Sequence, residues 1–171
     1  TAVQMAKILG AKLVIGTVGS ETKKEVALQA GADYVINYEK EDFAVQVQKL
    51  TDGKGADVIL DSIAGEVTKK SLQCLAMYGR LVNFGIASGT PGQVLTTDLH
   101  ASCRSLMGFS LGTTRNERPH LLAEPAKKVL QFLAEGRLRM FIGERFPLSE
   151  AVQAHRLVEN RKSTGKVLLL P

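Results

Sequence analysis

Two hydrophobic rhythms alternate along the chain, the three-to-four-residue spacing of helices and the short, dense apolar runs of strands. The helical spacing predicts helices at residues 1–9, 21–30, 43–50, 67–75 and 125–135, and another after Ser149. The apolar runs predict strands at residues 12–18, 34–37, 58–61, 80–84, 105–111 and 166–170, with an extended segment at 137–146. This alternation builds βαβ units, so we expect an α/β fold: a doubly wound parallel sheet with right-handed crossovers.

Capping and turn residues mark the expected ends of several elements. Ser20, Asp42 and Ser149 precede helices and are expected to accept hydrogen bonds from the first free backbone N–H groups. Gly31 is expected just beyond its helix, where left-handed backbone favours glycine. Residues 87–93 are rich in Gly, Ser, Thr and Pro and predict a loop. The last helix is expected to bury Val152, Ala154, Leu157 and Val158.

Length and composition are those of one ordinary globular domain covering residues 1–171, of which 44% are hydrophobic and 23% charged. The rhythm changes near residue 137, so we expect residues 137–171 to pack towards a neighbouring part of a parent protein. The longest apolar run is too short to span a membrane. Cys74 and Cys103 are far apart and are expected to be reduced thiols in or near the core, which indicates a cytoplasmic setting.

The net charge is +5 and the isoelectric point is about 9.3. Basic residues are scattered, aromatic residues make up 5% of the chain, and tryptophan is absent. A nucleic-acid surface needs clustered positive charge with stacking aromatics, so we expect no nucleic-acid partner. The positive charge can instead steer an anionic small molecule.

The first candidate binding residues follow the first two predicted strands, because ligands of such sheets bind at the carboxyl ends of strands. Gly19, Ser20 and Lys23 offer room, donors and positive charge where an acidic residue would bind the ribose hydroxyls of NAD, so they suit NADP better. The alternative is a helix cap followed by solvated lysines. Tyr38 follows the next strand and can pack on adenine or bond a 2′-phosphate; its alternative is a half-exposed structural role.

The next candidates follow the third and fourth strands. Asp61 can cap a helix or turn or hold Ser62, whereas a general acid or base role lacks a nearby His or Lys. Gly85 lets backbone come close to the nicotinamide ribose and diphosphate of a dinucleotide. Phe84 can contact that ribose or fill the core.

Metal and hydrolytic chemistry have no visible apparatus. His100, His120 and His155 are widely spaced and have no partner at metal-ligand spacing. No serine lies in a G-x-S-x-G motif. We therefore predict no metal ligand and no dedicated catalytic residue in this chain.

A set of ordered motifs carries a family resemblance. It consists of AVQMAKILGA at 2–11, GTVGS at 16–20, AGADYVINY at 30–38, GKGADVILDS at 53–62, residues 75–85, and TGKVLLLP at 164–171. Together they cover nearly the whole chain and resemble the zeta-crystallin type of NADPH:quinone oxidoreductase, within the medium-chain dehydrogenase/reductase superfamily.

The resemblance implies a Rossmann-type domain with strand order 3-2-1-4-5-6 and NADPH as cofactor. Family members are expected to transfer a hydride from NADPH to a quinone or another α,β-unsaturated carbonyl without zinc. The edge strand at 105–111 is expected to form a homodimer. The matching positions near the 2′-phosphate are Gly19, Ser20, Lys23 and Tyr38. The positions near the nicotinamide half are Ser62, Phe84 and Gly85, and Arg161 matches a position that reaches the cofactor in some relatives.

The sequence departs from this family pattern at its beginning. The first strand and the Gly-rich loop that binds the diphosphate are missing before Thr1, as is a catalytic domain. We therefore expect the chain to be the cofactor-binding fragment of an enzyme and to be inactive alone. The alternatives are an enoyl reductase module of a larger synthase, a zinc-dependent alcohol dehydrogenase, and a non-catalytic NADPH-binding protein.

Overall fold

The computed structural model describes residues 1–171 and groups them into two compact units, one of residues 1–35 with 127–171 and one of residues 36–126. The helices are α1 (Ala2–Ile8), α2 (Lys24–Gln29), α3 (Phe43–Leu50), α4 (Glu66–Gln73), α5 (Thr96–His100), α6 (Leu111–Glu117), α7 (His120–Ala134) and α8 (Ala151–Glu159). The strands are β1 (Ile15–Val18), β2 (Tyr34–Asn37), β3 (Ala56–Asp61), β4 (Leu75–Asn83), β5 (Ser105–Gly108), β6 (Ile142–Pro147) and β7 (Lys166–Leu170). The predicted alternation of strands and helices is confirmed.

The strands form three sheets, ordered β1-β2, β3-β4-β5 and β6-β7. In the family order 3-2-1-4-5-6, β1 and β2 correspond to strands 2 and 3, and β3, β4 and β5 correspond to strands 4, 5 and 6. The observed neighbours therefore agree with that order. In the three-stranded sheet the strands are parallel, and Asp61, Asn83 and Gly108 lie in register across it. The carboxyl ends of β3, β4 and β5 therefore meet at one edge of that sheet.

The core of residues 36–126 lies between α4 and the three-stranded sheet. Leu72, Leu75 and Leu81 form its centre and are at most 5% exposed. Burial of one leucine side chain contributes about 1.5–3 kcal/mol, so this cluster contributes substantially to the stability of the unit. The partly buried side chains packed against it are Ile59, Val94 and Leu99.

The loop before α3 confirms the predicted Asp42 cap. Its carboxylate accepts hydrogen bonds from the backbone N–H groups of Ala44 and Val45. Lys70 of α4 donates to the same carboxylate at 2.9 Å, and this ion pair lowers the pKa of Asp42. The cap thereby also links α3 to α4.

Residues 1–35 and 127–171 are joined by polar contacts and a few buried apolar residues. The Gln4 side chain donates to the Arg139 carbonyl oxygen and accepts from the Arg139 N–H, which ties α1 to the segment before β6. Asp33 accepts from Lys7 and from the Val14 N–H, at 2.6 and 2.7 Å. The buried apolar residues of this unit are Val14, Ala32, Leu138 and Ala154.

Two predicted caps of the same unit are wrong. Ser20 has extended backbone, and its hydroxyl faces that of Thr22 at 3.0 Å without accepting from a backbone N–H, because a 3₁₀ turn (Glu21–Lys23) intervenes before α2. Ser149 lies inside a second 3₁₀ turn (Leu148–Glu150), so α8 begins only at Ala151. Ala154 is buried as expected.

The predicted buried face of α8 is also partly wrong. Val152 and Val158 are 63% and 51% exposed. Both residues fit a helical period, and burial depends in addition on which face has a neighbour to pack against. The periodicity identified the helix but not its packed face.

Several element borders differ from expectation. β4 begins at Leu75, ahead of the predicted residue 80, and a register shift lies between Leu75 and Arg80. β5 ends at Gly108, and the predicted continuation to Leu111 is wrong because Ser110 caps α6 by accepting from the Thr113 N–H. α7 begins five residues before Pro125, and α5 and α6 were not predicted.

None of the helices combines the length and the apolar character that crossing a membrane requires.

Candidate functional site

One candidate set lies at the carboxyl end of β1. Gly19 and Ser20 directly follow the strand, and Lys23 closes the 3₁₀ turn that comes next. The Lys23 ammonium donates to the carbonyl oxygen of Arg161 at 2.5 Å, across 138 residues of sequence. The fold thus brings two predicted cofactor residues together, and we call Gly19, Ser20, Lys23 and Arg161 the Lys23 cluster.

Arg161 takes an unusual backbone conformation for its residue type. Its φ is 55°, its N–H donates to the Val158 carbonyl, and the Lys162 N–H donates to the Leu157 carbonyl. This pair of bonds is the Schellman ending of a helix, whose left-handed position usually holds glycine. A non-glycine residue there costs roughly 1 kcal/mol, so the fold holds an arginine at a place where glycine would be more stable.

The charges of this cluster favour an anion. Lys24, next in sequence, is paired with Glu21 at 3.1 Å. An ammonium has three N–H donors, and the Arg161 carbonyl takes one of those of Lys23. The cluster therefore presents the Lys23 ammonium and the Ser20 hydroxyl next to a second basic residue, Arg161, and this combination suits a phosphate.

Tyr38 follows β2 in the unit of residues 36–126. The preceding Asn37 is buried, and its side-chain oxygen accepts from the Glu39 N–H at 3.1 Å. The Tyr38 side chain itself is 44% exposed at the end of the strand. It is thus accessible to a ligand, and its predicted role stays a prediction.

A second candidate set lies where β3 and β4 end. The Phe84 N–H donates to the Asp61 carbonyl at 2.9 Å, and the Ala87 N–H donates to the Ser62 carbonyl at 3.0 Å. A Cβ on Gly85 would lie 2.7 Å from the Ser62 carbonyl oxygen, so no larger residue fits there without a shift of backbone. Ser62, Phe84 and Gly85 are therefore neighbours.

Asp61 lies beneath these residues and is 2% exposed. One carboxylate oxygen accepts from the N–H groups of Ile63 and Ala64, at 2.8 and 3.0 Å. The other accepts from the Thr68 hydroxyl at 2.6 Å and, more distantly, from Asn83 at 3.5 Å. Burial acts to raise the pKa of Asp61, but the hydrogen bonds, led by that of Thr68, hold it below its usual value.

Two cavities open at the carboxyl ends of β4 and β5. The first has a volume of about 310 Å³ and the second of about 450 Å³. Residues lining them that the sequence did not single out include Asn83, Ser110 and Thr113. Asn83 was detectable as the polar last residue of an apolar strand, whereas Ser110 was hidden inside the strand predicted at 105–111.

The cysteines and histidines form no further site. Both cysteines are free; burial raises the pKa of the Cys74 thiol to about 11, which disfavours the thiolate form. Cys103 is exposed, and the expectation of a core or near-core position is wrong for it, because it lies in the turn before β5, in a left-handed conformation with φ of 50°. The structure contains no group of three or more His, Cys, Asp or Glu residues placed to hold a metal ion.

Residues 1–127 match the family described as zinc-binding dehydrogenase, and the chain belongs to that family. It is 38% identical over 178 aligned residues to quinone oxidoreductase 1 of Escherichia coli, covering 99% of this chain and 52% of that protein. It is 33% identical over 168 residues to a phenolphthiocerol/phthiocerol polyketide synthase of Mycobacterium tuberculosis, covering 98% of this chain and 8% of that protein.

The structure of Escherichia coli quinone oxidoreductase complexed with NADPH superposes on this chain with a TM-score of 0.85 at 34% identity. The superposition covers 99% of this chain and 52% of that one. The fold is therefore the predicted α/β, Rossmann-like fold of the nucleotide-binding half of such enzymes. The chain spans about half the length of the quinone oxidoreductases it matches.

Proposed function

We propose that this chain supplies the NADPH-binding portion of an oxidoreductase that transfers a hydride to a quinone or another α,β-unsaturated carbonyl. The observation that carries this is the pairing of Lys23 with Arg161 at the end of β1, where a dinucleotide fold receives the adenosine ribose. An unpaired carboxylate at this place would repel a 2′-phosphate; none of the four residues of the Lys23 cluster is acidic, and Glu21 in the same turn is paired with Lys24. The cluster therefore favours NADPH over NADH.

The residues that follow β3 and β4 fit a nicotinamide riboside. Gly85 lets the backbone after β4 pack directly against the Ser62 carbonyl, which brings the ends of β3 and β4 together at the edge where a dinucleotide fold binds its ligand. Phe84 is 45% exposed, so it is available for contact with a ligand and does not fill the core. Bound NADPH supplies the hydride, and these residues hold and orient its reactive end.

Zinc independence is part of the proposal. It is supported by the residues of the Lys23 cluster and by the similarity of the chain to quinone oxidoreductases. We keep the enoyl reductase module as a second candidate, because the chain is similar to part of a polyketide synthase. Both candidates reduce a quinone or an alkene that is conjugated to a carbonyl. They therefore differ in substrate size and in flanking domains rather than in cofactor.

We further propose that residues 1–171 form one nucleotide-binding domain, with residues 137–171 facing the remainder of the parent protein. A homodimer through β5 is supported by its position at the edge of its sheet, with Leu106 and Met107 being 40% and 49% exposed. An apolar edge strand of this kind is usually covered.

The decisive assay uses the full-length protein that contains this chain. It measures oxidation of NADPH and of NADH in the presence of 1,4-benzoquinone, before and after treatment with a zinc chelator. We expect activity with NADPH that survives chelation. Loss of activity with the chelator and its return with zinc would favour an alcohol dehydrogenase, and NADPH binding without turnover of quinones or enones would favour a non-catalytic protein.

The cofactor assignment is tested by Lys23→Glu. We expect this change to weaken NADPH binding about 10–100-fold, as expected for reversing a charge beside a phosphate, and to leave NADH binding within about threefold. Lys24→Glu is the matched control, because the same charge change occurs one residue away at a lysine already paired with Glu21. Equal losses for both cofactors in Lys23→Glu would remove the 2′-phosphate from this cluster.

A further inference from the structure

The buried carboxylate of Asp61 has no cation partner. Its neighbours are two backbone N–H groups, the Thr68 hydroxyl and the Asn83 amide, and it takes part in no ion pair. Removing a carboxylate from water is costly unless hydrogen bonds compensate, so such an arrangement needs every one of its donors. A capped turn alone would be satisfied by a neutral side chain such as Ser or Asn.

The carboxylate fixes two segments at once. On one side it holds the turn after β3, in which Ala64 and Gly65 both have positive φ, of 65° and 61°. On the other side it meets the Asn83 amide, which also donates to the Gly85 carbonyl at 3.1 Å. Asp61 precedes Ser62 in the chain and is linked through the Asn83 amide to the Gly85 carbonyl. It thus connects the backbone of Ser62 with that of Gly85.

The hydroxyl of Thr68 is locked in the same place. Thr68 is 4% exposed, and a Cβ on Gly92 of the loop above would lie 2.6 Å from its hydroxyl oxygen. The loop therefore covers this hydroxyl closely, and water has little room to replace it as a donor to Asp61. We call Asp61, Ser62, Thr68, Asn83 and Gly85 the Asp61 network.

From this geometry we infer that Asp61 is a positioning residue for hydride transfer: it sets the Ser62 and Gly85 backbones against which the nicotinamide half of the cofactor rests. The inference rests on the proposed function. It assigns Asp61 no contact with substrate and no proton transfer. Its consequence is that disturbing Asp61 displaces the reactive end of NADPH while the phosphate contacts of the Lys23 cluster persist.

The test compares affinity with the rate of the hydride step in Asp61→Asn. A displacement of the reacting atoms by about 1 Å lowers the rate roughly 100-fold. In the whole protein we therefore expect single-turnover oxidation of NADPH by 1,4-benzoquinone to slow about 10–100-fold, with the Kd of NADPH within about threefold of wild type. Asp57→Asn is the matched control, since Asp57 is an exposed residue of the same strand paired only with Lys54, and it should change neither quantity.

Thr68→Val and Asn83→Ala keep the inference testable should Asp61→Asn fold poorly. Each removes one donor to the carboxylate, and each should slow the hydride step about 3–10-fold at unchanged NADPH affinity. Equal losses of rate and affinity would show a merely structural role and overturn the inference, as would unchanged rates in these two variants. Absence of hydride transfer from NADPH in the wild-type protein would instead overturn the proposed function.

Discussion

The Lys23 cluster and the Asp61 network hold their candidate contacts by opposite means. Lys23 is half-buried and Arg161 is exposed, and they are positioned by one side-chain bond to a carbonyl and by a helix ending. Asp61 and Thr68 are almost completely buried, and their hydrogen bonds have no solvent to replace them. The first arrangement recognises charge, whereas the second fixes distances.

This difference predicts how each region responds to substitution. Surface charges act through space and are screened by salt, so substituting one of them lowers the affinity for a charged ligand only gradually. Buried hydrogen bonds and close backbone contacts tolerate little, because the neighbouring groups cannot rearrange without leaving polar atoms unsatisfied. We therefore expect selective effects on NADPH affinity at the Lys23 cluster and effects on the rate of hydride transfer at the Asp61 network.

The largest effect is expected for Gly85→Ala. The new methyl group would lie 2.7 Å from the Ser62 carbonyl oxygen, which is backbone and must move. We expect a loss of stability of about 1–3 kcal/mol, as for other overpacked sites, and a fall in kcat/KM of about 100-fold. Thermal unfolding and steady-state kinetics with NADPH measure the two effects.

Gly112→Ala serves as the control for the same substitution. A Cβ at Gly112 would be 4.0 Å from its nearest neighbour, the Ser110 hydroxyl, and the residue lies in α6, where alanine is the better helix former. Its unfolding midpoint should be equal to that of the wild type or higher. A Gly85→Ala protein as stable and as active as this control would contradict the idea that the Asp61 network fixes distances.

Smaller effects, of opposite sign on stability and on NADPH affinity, are expected for Arg161→Gly. Glycine relieves the left-handed strain at φ 55°, so the stability should stay equal or rise by up to about 1 kcal/mol. NADPH binding should weaken about 3–10-fold, because one positive charge is lost while the carbonyl that accepts from Lys23 remains. Arg161→Lys, which keeps both charge and strain, should bind NADPH nearly as the wild type does. A gain in NADPH affinity on Arg161→Gly would remove Arg161 from the site.

Local signals were sufficient to predict some elements. The run Tyr34–Asn37 is a strand of the predicted length since polar or small residues bound it, and Asp42 caps α3 since its side chain needs only nearby N–H groups. Ser149 failed as a cap because capping requires extended backbone, and tertiary packing places Ser149 in a 3₁₀ turn instead. An apolar run such as 105–111 fits a strand or the start of a helix, so only the Ser110 cap separates β5 from α6.

The candidate site shows the same limit. Gly85 could be singled out as a glycine after a strand, but its close contact with Ser62 requires the pairing of β3 with β4. The pairing of Lys23 with Arg161 spans 138 residues, and no local pattern predicts it. Only the family resemblance named both residues, which is why their adjacency is informative.

The smallest effect expected is a difference in acid stability between Asp33, which lies in the same unit as the Lys23 cluster, and Asp61. The Lys7 ammonium and the Val14 N–H lower the pKa of Asp33, whereas at Asp61 burial opposes the hydrogen bonds that lower it. Because both folded pKa values lie below that of the unfolded chain, about 3.9, both contributions are complete above roughly pH 5 and fade as the pH falls through the folded values. Asp61→Asn should therefore flatten the decline of the unfolding midpoint between about pH 5 and 2.5 at any ionic strength, whereas Asp33→Asn should flatten it only at low salt, since Asp33 and Lys7 are about one-third exposed. A larger and salt-resistant effect at Asp33 would contradict the comparison, because Asp33 would then behave as the buried carboxylate and Asp61 would not.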